Sequence, residues 1–503
     1  MKKILLTFTN VLALFVTANA QDEFDALRYG YTNYYGTARG LSVGNAMGSV
    51  GGDFSALSIN PAGIGIYRRG EFVLSPSFQI SNNTGTYQNN TNLANSSKLN
   101  MSQFGIVLTN AKKGNLYKRS AWKAGSFAIG ANRLATFNNE YTYSGNNFQS
   151  SLIEKYADEF NSLGGIKAIN SVSYPAYAAY ETWLIDRGFG ADSNTAVSYV
   201  PFTGGINQNK HVYERGGINE LVISGGGNYK EVLLLGATVG ITSLNYKRTL
   251  NYNEEDISGD NNNDFKYMHF TENLSTNGTG INLKLGAIIK PSDNFRFGLA
   301  LHTPTYYQLN DLSQIGMESH TDSLLLHSNP NNSPISSYSQ DTALSFNYGY
   351  SSPYKAILSG TAFMNQYGFI SADIELVGYS SMKYYYEPGF ENIANAMNTV
   401  IKNLFKTALN ARIGAEVKLE NFMLRAGAAY YGSPYKNTQY DASKLNLSFG
   451  LGYRADNWFT DITYINSNQK YGQQPYTLSN TSVPFAEIKN STSNVVFTVG
   501  IKF

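Results

Sequence analysis

Five histidines, no cysteine and one Gly-x-Ser-x-Gly stretch limit the chemistry open to this 503-residue chain. Gly40-Leu41-Ser42-Val43-Gly44 has the spacing of a nucleophile elbow, in which a strand presents the serine on a tight turn and a helix leads away from it. The flanking residues predict neither element. A base would have to come from His211, His269, His302, His320 or His327, and only His302 falls in a predicted strand. These histidines form no i, i+4 pair and no His-Glu-x-x-His motif, and without cysteine there is no thiolate ligand, so no metal and no other cofactor is expected. Gly225-Gly226-Gly227 reads as a turn, not as a phosphate cradle. An enzymatic reading rests on Ser42 alone, and no enzyme is expected.

The remaining candidates are arginines that residue alternation turns away from the apolar strand faces: Arg133, Arg296, Arg412 and Arg425. A sequestered guanidinium can clamp an anionic head group through two parallel hydrogen bonds. Asp373, Glu375, Glu416 and Asp461 share that face, and interior charges are normally paired, so a structural ion-pair lattice satisfies the arginines without any ligand. Both readings stay open on sequence.

Strands must position these side chains. From Glu71 to Asn82, Phe72, Leu74, Phe78 and Ile80 alternate with Ser75, Ser77, Gln79 and Ser81, a period of two with one apolar face. The pattern recurs to the last residue and predicts about fourteen strands, each long enough to cross a bilayer at barrel tilt. They fall near 71–82, 97–109, 121–137, 216–229, 231–247, 278–290, 294–309, 353–364, 368–383, 407–419, 422–433, 443–454, 457–467 and 491–503. The links alternate: short ones such as Tyr229-Lys230, Asn365 to Gly368 and Glu420-Asn421, then longer ones at 83–96, 138–215, 248–277, 310–352, 384–406, 434–442 and 468–490. Short turns on one side and long loops on the other, with an even strand count, mark a transmembrane antiparallel β-barrel whose termini share the periplasmic side. Composition agrees, since 38 Tyr, 28 Phe and 47 Gly beside 15% charged residues suit aromatic girdles and tight bends.

Ala408 to Leu419 specifies its register most strongly. Leu409, Ala411, Ile413, Ala415, Val417 and Leu419 share one face, and a one-residue slip would turn Arg412, Glu416 and Lys418 into lipid. Three loop segments read as helices: Leu152 to Leu163, Tyr177 to Leu184 and Ile393 to Leu404. Their apolar faces either pack together as a cap over the barrel or line a groove for an apolar ligand.

At the amino-terminus, Lys2 and Lys3, an apolar run from Ile4 to Val16 and Ala18-Asn19-Ala20 predict a signal peptide over 1–20. The barrel is expected over 71–503. Between them, residues 21–70 are dense in glycine and carry Asn60-Pro61-Ala62-Gly63, where proline fixes its own φ and extends the residue before it. This segment reads as a plug.

The glycine-dense stretch with Asn60-Pro61-Ala62-Gly63, the hairpin from Gly280 to Tyr307 and the segment Leu424 to Tyr435 together resemble the FadL/TodX family of outer-membrane transport proteins for hydrophobic compounds. The resemblance implies a fourteen-stranded barrel in the outer membrane, a hatch that includes Asn60, Pro61, Ala62 and Gly63, and ligand capture in external loops. It also implies an exit beside a kinked third strand, for which Gly125 and Gly130 are the candidate kink positions. On this reading the partners are a hydrophobic or amphipathic small molecule of the fatty-acid or aromatic-hydrocarbon class, outer-membrane lipid, and the barrel-assembly machinery through the terminal Phe503, with the protein a monomer. A net charge of +2 gives no basis for nucleic-acid binding. The alternative is a structural or adhesive barrel with a static plug.

Overall fold

A computed structural model describes residues 23–31, 35–188, 194–322, 333–340, 342–437, 441–478 and 481–503. The predicted signal peptide lies outside these residues. The wall is a closed antiparallel barrel of 14 strands. In chain order they are β1 (Glu71–Tyr87), β2 (Asn90–Ala111), β3 (Trp122–Thr136, resumed as Asn139–Asn147), β4 (Ile206–Tyr229), β5 (Leu233–Asp256) and β6 (Tyr267–Ile289). Then follow β7 (Phe295–His302, resumed as Tyr306–His320), β8 (Ile335–Ser339, Leu344–Ser351 and Lys355–Phe363) and β9 (Gly368–Gly378, resumed as Lys383–Tyr385). The last five are β10 (Thr407–Leu419), β11 (Phe422–Tyr431), β12 (Lys444–Arg454), β13 (Trp458–Gln473) and β14 (Ala486–Lys502). Each predicted strand has its counterpart. The ring closes where β14 returns to β1, with Phe72 opposite Ile501 and Thr86 opposite Glu487.

The two faces of the wall follow from alternation. Phe72, Leu74, Phe78 and Ile80 of β1 and Leu409, Ile413 and Val417 of β10 are exposed outward, whereas Ser75, Ser77, Asn410 and Arg412 are buried inside. Such an apolar outer band is the surface a barrel turns to lipid. No helix among the described residues is long and apolar enough to cross a membrane.

Short turns join β4 to β5, β8 to β9 and β10 to β11, with left-handed backbone at Lys230, Glu231, Asn365 and Glu420. On the opposite side the first link differs from expectation. Residues 83–96 are not a loop: β1 and β2 continue to a tight turn at Gln88-Asn89, with Tyr87 paired to Asn90. The hairpin stands beyond the apolar band: Tyr87 packs inward 5.3 Å from Tyr143, while the outward positions are Asn82, Thr84 and Thr86, so the two-residue hydrophobic signal stops. β4 and β5 overrun the band in the same way, at 24 residues each, where about 9–11 tilted residues suffice to cross a bilayer.

Inside the wall lie residues 23–31 and 35–70. They form α1 (Glu23–Gly30), α2 (Ala38–Ser42), α3 (Ala56–Ile59) and a 3₁₀ turn over Pro61–Ile66. Thr37 caps α2 by accepting from Gly40 N, and Asn60 caps the 3₁₀ turn by accepting from Ala62 N at 3.1 Å. Elements this short are held by their surroundings rather than by helix propensity. The barrel supplies those surroundings with backbone-thin patches: Gly44, at φ +65°, sits where a Cβ would come within 2.8 Å of Ala428 O, and Gly286 faces the Asn60 side chain.

Candidate functional site

Residues 35–70 are bound to the wall on nearly every side. Ala38 N donates to Thr498 Oγ1 at 2.7 Å and Ala38 O accepts from Thr463 Oγ1 at 2.5 Å. Ser42 O accepts from Ser448 Oγ, Gly48 N donates to Asp373, and the hydroxyls of Ser49 and Thr361 meet at 2.6 Å. Asn60, Pro61, Ala62 and Gly63 are all buried. The Asn60 amide donates to Gly48 O at 2.7 Å and to Ala287 O at 3.2 Å, and Ile59 O accepts from the His302 imidazole at 2.9 Å.

The arginines sit in this lower layer. Arg412 pairs with Asp373 at 3.6 Å and Glu375 at 3.4 Å, and Arg425 pairs with Glu416 and Asp461 at 2.6 Å each. Arg39 of the plug joins the same lattice through Glu416 at 3.1 Å. Arg296 donates to Val50 O at 2.6 Å and stacks on Phe363. None of these three wall arginines lines the cavities described next; they hold carboxylates or the plug.

Above the plug is a cavity of about 950 Å³. Its floor is Tyr31 and Tyr35, its roof is the cap, and one side is α1. A smaller cavity of about 70 Å³ continues past Tyr35 and Lys444 toward Leu41 and Asn45 of the plug. α1 is seated on an aromatic cluster: the Tyr29 ring meets Phe137, Tyr246 and Tyr350 edge-on at 6.0–6.3 Å, and Tyr350 OH donates to Ala26 O at 2.6 Å. Arg28 bridges Asp25 and Glu214 beside the cavity, its guanidinium 4.7 Å from the Tyr246 ring centre.

The cap is α5 (Leu152–Ser162), which follows α4 (Gly114–Arg119) of the β2–β3 turn, together with α6 (Tyr174–Glu181). Ser151 opens α5 with a capping box to Glu154, whose half-buried carboxyl is raised above its ordinary value by burial. The predicted apolar face, Leu152, Ile153, Tyr156, Ala157 and Phe160, is buried against α6 and the projecting strands, while Leu163 is exposed. Leu152, Tyr156 and Tyr174 also line the cavity roof, so one helix serves both readings of that face. Glu254 ties the cap down by accepting from Ser151 Oγ, Leu152 N and Gln208 Nε2. Gln208 in turn donates to Tyr476 OH at 2.9 Å, and burial keeps that phenol well above its ordinary pKa, hence neutral. The third predicted helix is α7 (Glu391–Leu404); it buries Ala394 and Ile401 and leaves Val400 exposed.

The β2–β3 seam of the wall is incomplete. β3 pairs with β2 only from Ala124 to Asn132, opposite Ala111 to Gln103. Its pairing with β4 shifts between Arg133 and Ala135, and the strand is interrupted at Phe137-Asn138. The resumed segment still pairs with β4 but crosses the inner side of the β1–β2 hairpin, where Asn83 Nδ2 donates to Glu140 O at 2.7 Å and Gly85 faces Thr142 O. Residues 90–102 of β2 therefore pair with β1 alone among the described strands. The cavity reaches this split through Thr136, Phe137, Asn138 and Asn139. Arg133 lies at the bend and not in the cavity: its guanidinium donates to Gly216 O at 2.7 Å and Asn219 Oδ1 at 3.2 Å. The bend is thus at 133–138, not at Gly125 or Gly130; Gly125 faces open space and Gly130 makes room for the Phe54 ring of the plug. Asn60, Arg133 and the lattice arginines were legible as candidates, whereas the cavity tyrosines were not, because tyrosine is spread through the whole chain.

Ser42 is buried on α2, and its hydroxyl donates to Arg39 O at 2.7 Å. It lies in a short helix within the plug, without the strand-to-helix turn of a nucleophile elbow.

A closed barrel with its amino-terminal segment folded inside, a lumen cavity and an incomplete β2–β3 seam defines a plugged transmembrane β-barrel. Its fold is that of the FadL-type barrels. A Pseudomonas aeruginosa FadL homologue superposes with a TM-score of 0.56 at 13% identity, over 94% of this chain and 99% of that one. A TodX monoaromatic hydrocarbon channel carrying the deltaS2 mutation gives 0.50 at 12% identity, over 93% and 99%. At these identities the likeness is one of fold. No family model and no curated protein matches the chain in sequence.

Proposed function

We propose that this protein is an outer-membrane channel for passive uptake of hydrophobic or amphipathic small molecules. The cavity of about 950 Å³ carries the reading, because it lies between the cap and the plug and reaches the β2–β3 seam, where the pairing of the wall is interrupted. Its size suits a drug-sized ligand. Leu27, Phe137, Leu250 and Ile315 offer apolar surface, and Tyr156, Gln340 and Arg28 offer directional polar groups. The fold is shared with a FadL homologue and with a channel described for monoaromatic hydrocarbons, which supports a fatty-acid or aromatic ligand here. The protein acts as a monomer and not as an enzyme, Phe503 engages the assembly machinery, and residues 1–20 are removed on export.

In this reading the plug, with Asn60 to Gly63 at its lower end, is the gate. A second reading is favoured by the density of plug-to-wall hydrogen bonds: the plug stays fixed, and ligand leaves sideways at the β2–β3 split. The test is mass spectrometry of small molecules retained by the detergent-purified barrel, against a mock purification from the same membranes. A reproducibly enriched lipid or hydrocarbon is expected. Its absence, under conditions that retain ligand in a control barrel, would favour a structural or adhesive role.

A further inference from the structure

The outer wall carries a second concavity, of about 750 Å³, on the side facing away from the lumen. Its floor includes Gly125, Gly225 and Ala237, and Trp122, Leu235 and Leu285 stand around it. Elsewhere on these strands the outward positions hold large side chains, among them Phe127, Ile129, Leu221, Ile223 and Val239, all exposed. At Gly125 and Gly225 an added Cβ would meet nothing within 4 Å. The wall here is close to bare backbone on both sides, because Gly226, Gly236 and Gly286 turn inward against Ile64, Pro61 and Asn60 of the plug.

The position of the groove decides what can fill it. It lies in the periplasmic half of the apolar band, near the β2–β3 turn, and hydrocarbon rather than water surrounds it. A slot in that medium recovers its dispersion energy only from an occupant that follows its floor. Trp122, packed edge-on to Tyr229 at 5.4 Å and half exposed, marks the interfacial level where lipid head groups begin. Lys112 and Asn110 line the same end, giving a cation and an amide where a phosphate would stand.

We propose that this groove binds one phospholipid of the periplasmic leaflet, an acyl chain lying over Gly125 and Gly225 and its phosphate beside Lys112. The bound chain then backs the thin wall against which the plug residues Pro61 and Ala62 press. Native mass spectrometry of the full-length barrel, loaded with 1-palmitoyl-2-oleoyl-phosphatidylglycerol, tests this. Wild type should hold one lipid to collision energies that strip the rest. Gly125→Val with Gly225→Val should lower that occupancy about tenfold, a change of about 1.4 kcal/mol, while the heat-shifted gel mobility of the folded barrel persists. Equal retention by wild type and the double variant would overturn the proposal. If the double variant does not fold, Lys112→Ala, which leaves the floor intact, should still weaken retention several-fold, and unchanged retention would overturn the assignment of the phosphate. Oleate held as firmly as the phospholipid would overturn the choice of ligand in favour of a free acyl chain.

Discussion

Below Tyr35 the lumen is filled by residues 35–70, and the polar side chains of the wall spend their hydrogen bonds and charges on the plug or on one another. Above it the same alternating strands enclose open volume, and tyrosines, glutamines and a few charges line the space instead of crossing it. The contrast separates two uses of an inward-facing polar residue. In the lower half Arg412 and Arg425 are structural, because removing either partner of a buried pair strands a charge. In the upper half polar groups are spread thinly over an aromatic surface, the composition of a binding site.

The sharpest way to break this contrast is to lock the plug. In a chain without cysteine, Ser49→Cys with Thr361→Cys places two thiols where hydroxyls now meet at 2.6 Å, close enough for a disulfide after small adjustment. If the plug is the gate, uptake of a labelled fatty acid into cells should cease under oxidation and return with reductant. Uptake indifferent to the lock would assign transit to the β2–β3 split and leave the plug static.

Arg425→Leu removes the cation shared by Glu416 and Asp461 but leaves each a second partner, Arg39 and Arg454, so it should cost about 1.5–3 kcal/mol, read as a lower urea midpoint for loss of the heat-shifted band. A loss under about 1 kcal/mol would mean that the lower lattice is not what holds this layer together. Leu344→Trp, in the upper cavity, should do the reverse, lowering ligand retention several-fold with stability changed by less than about 1.5 kcal/mol. Arg133→Ala removes guanidinium hydrogen bonds at the bend and should cost about 1.5–3 kcal/mol, with faster amide exchange at 133–138 as the local readout. Ser42→Ala is the mildest: lipid hydrolysis should be the same as in wild type, and the lost bond to Arg39 O should cost about 1 kcal/mol.

Much of the barrel was legible because lipid enforces a two-residue rhythm. Leu409, Ile413 and Val417 had to face outward together, and the opposite face of β10 followed from them. The signal failed wherever that environment ended. Residues 83–96 are rich in Asn, Thr and Ser on both faces, so a projecting hairpin looked like a loop. The glycines of β3 do not mark its bend, which lies where contacts distant in sequence form, Arg133 to Gly216 and Asn83 to Glu140. The plug was visible from glycine spacing, because the close approach to the wall at Gly44 and Gly48 leaves no space for a side chain. Alternation correctly turned Arg296, Arg412 and Arg425 inward but could not say at which height they met a partner.

The joint between β1 and β14 pairs Glu71 with Lys502, and Phe503 N donates to Gly70 O at 3.0 Å. Nearly the whole chain must be in place before this last pairing can form, the kind of long-range closure that slows folding. The plug touches β14 through Thr498, β13 through Thr463, β7 through His302 and β6 through Ala287. It is therefore a mandrel as well as a stopper: strands that gather on it are already curved and ordered around a common axis, so the final seam joins neighbours instead of distant ends.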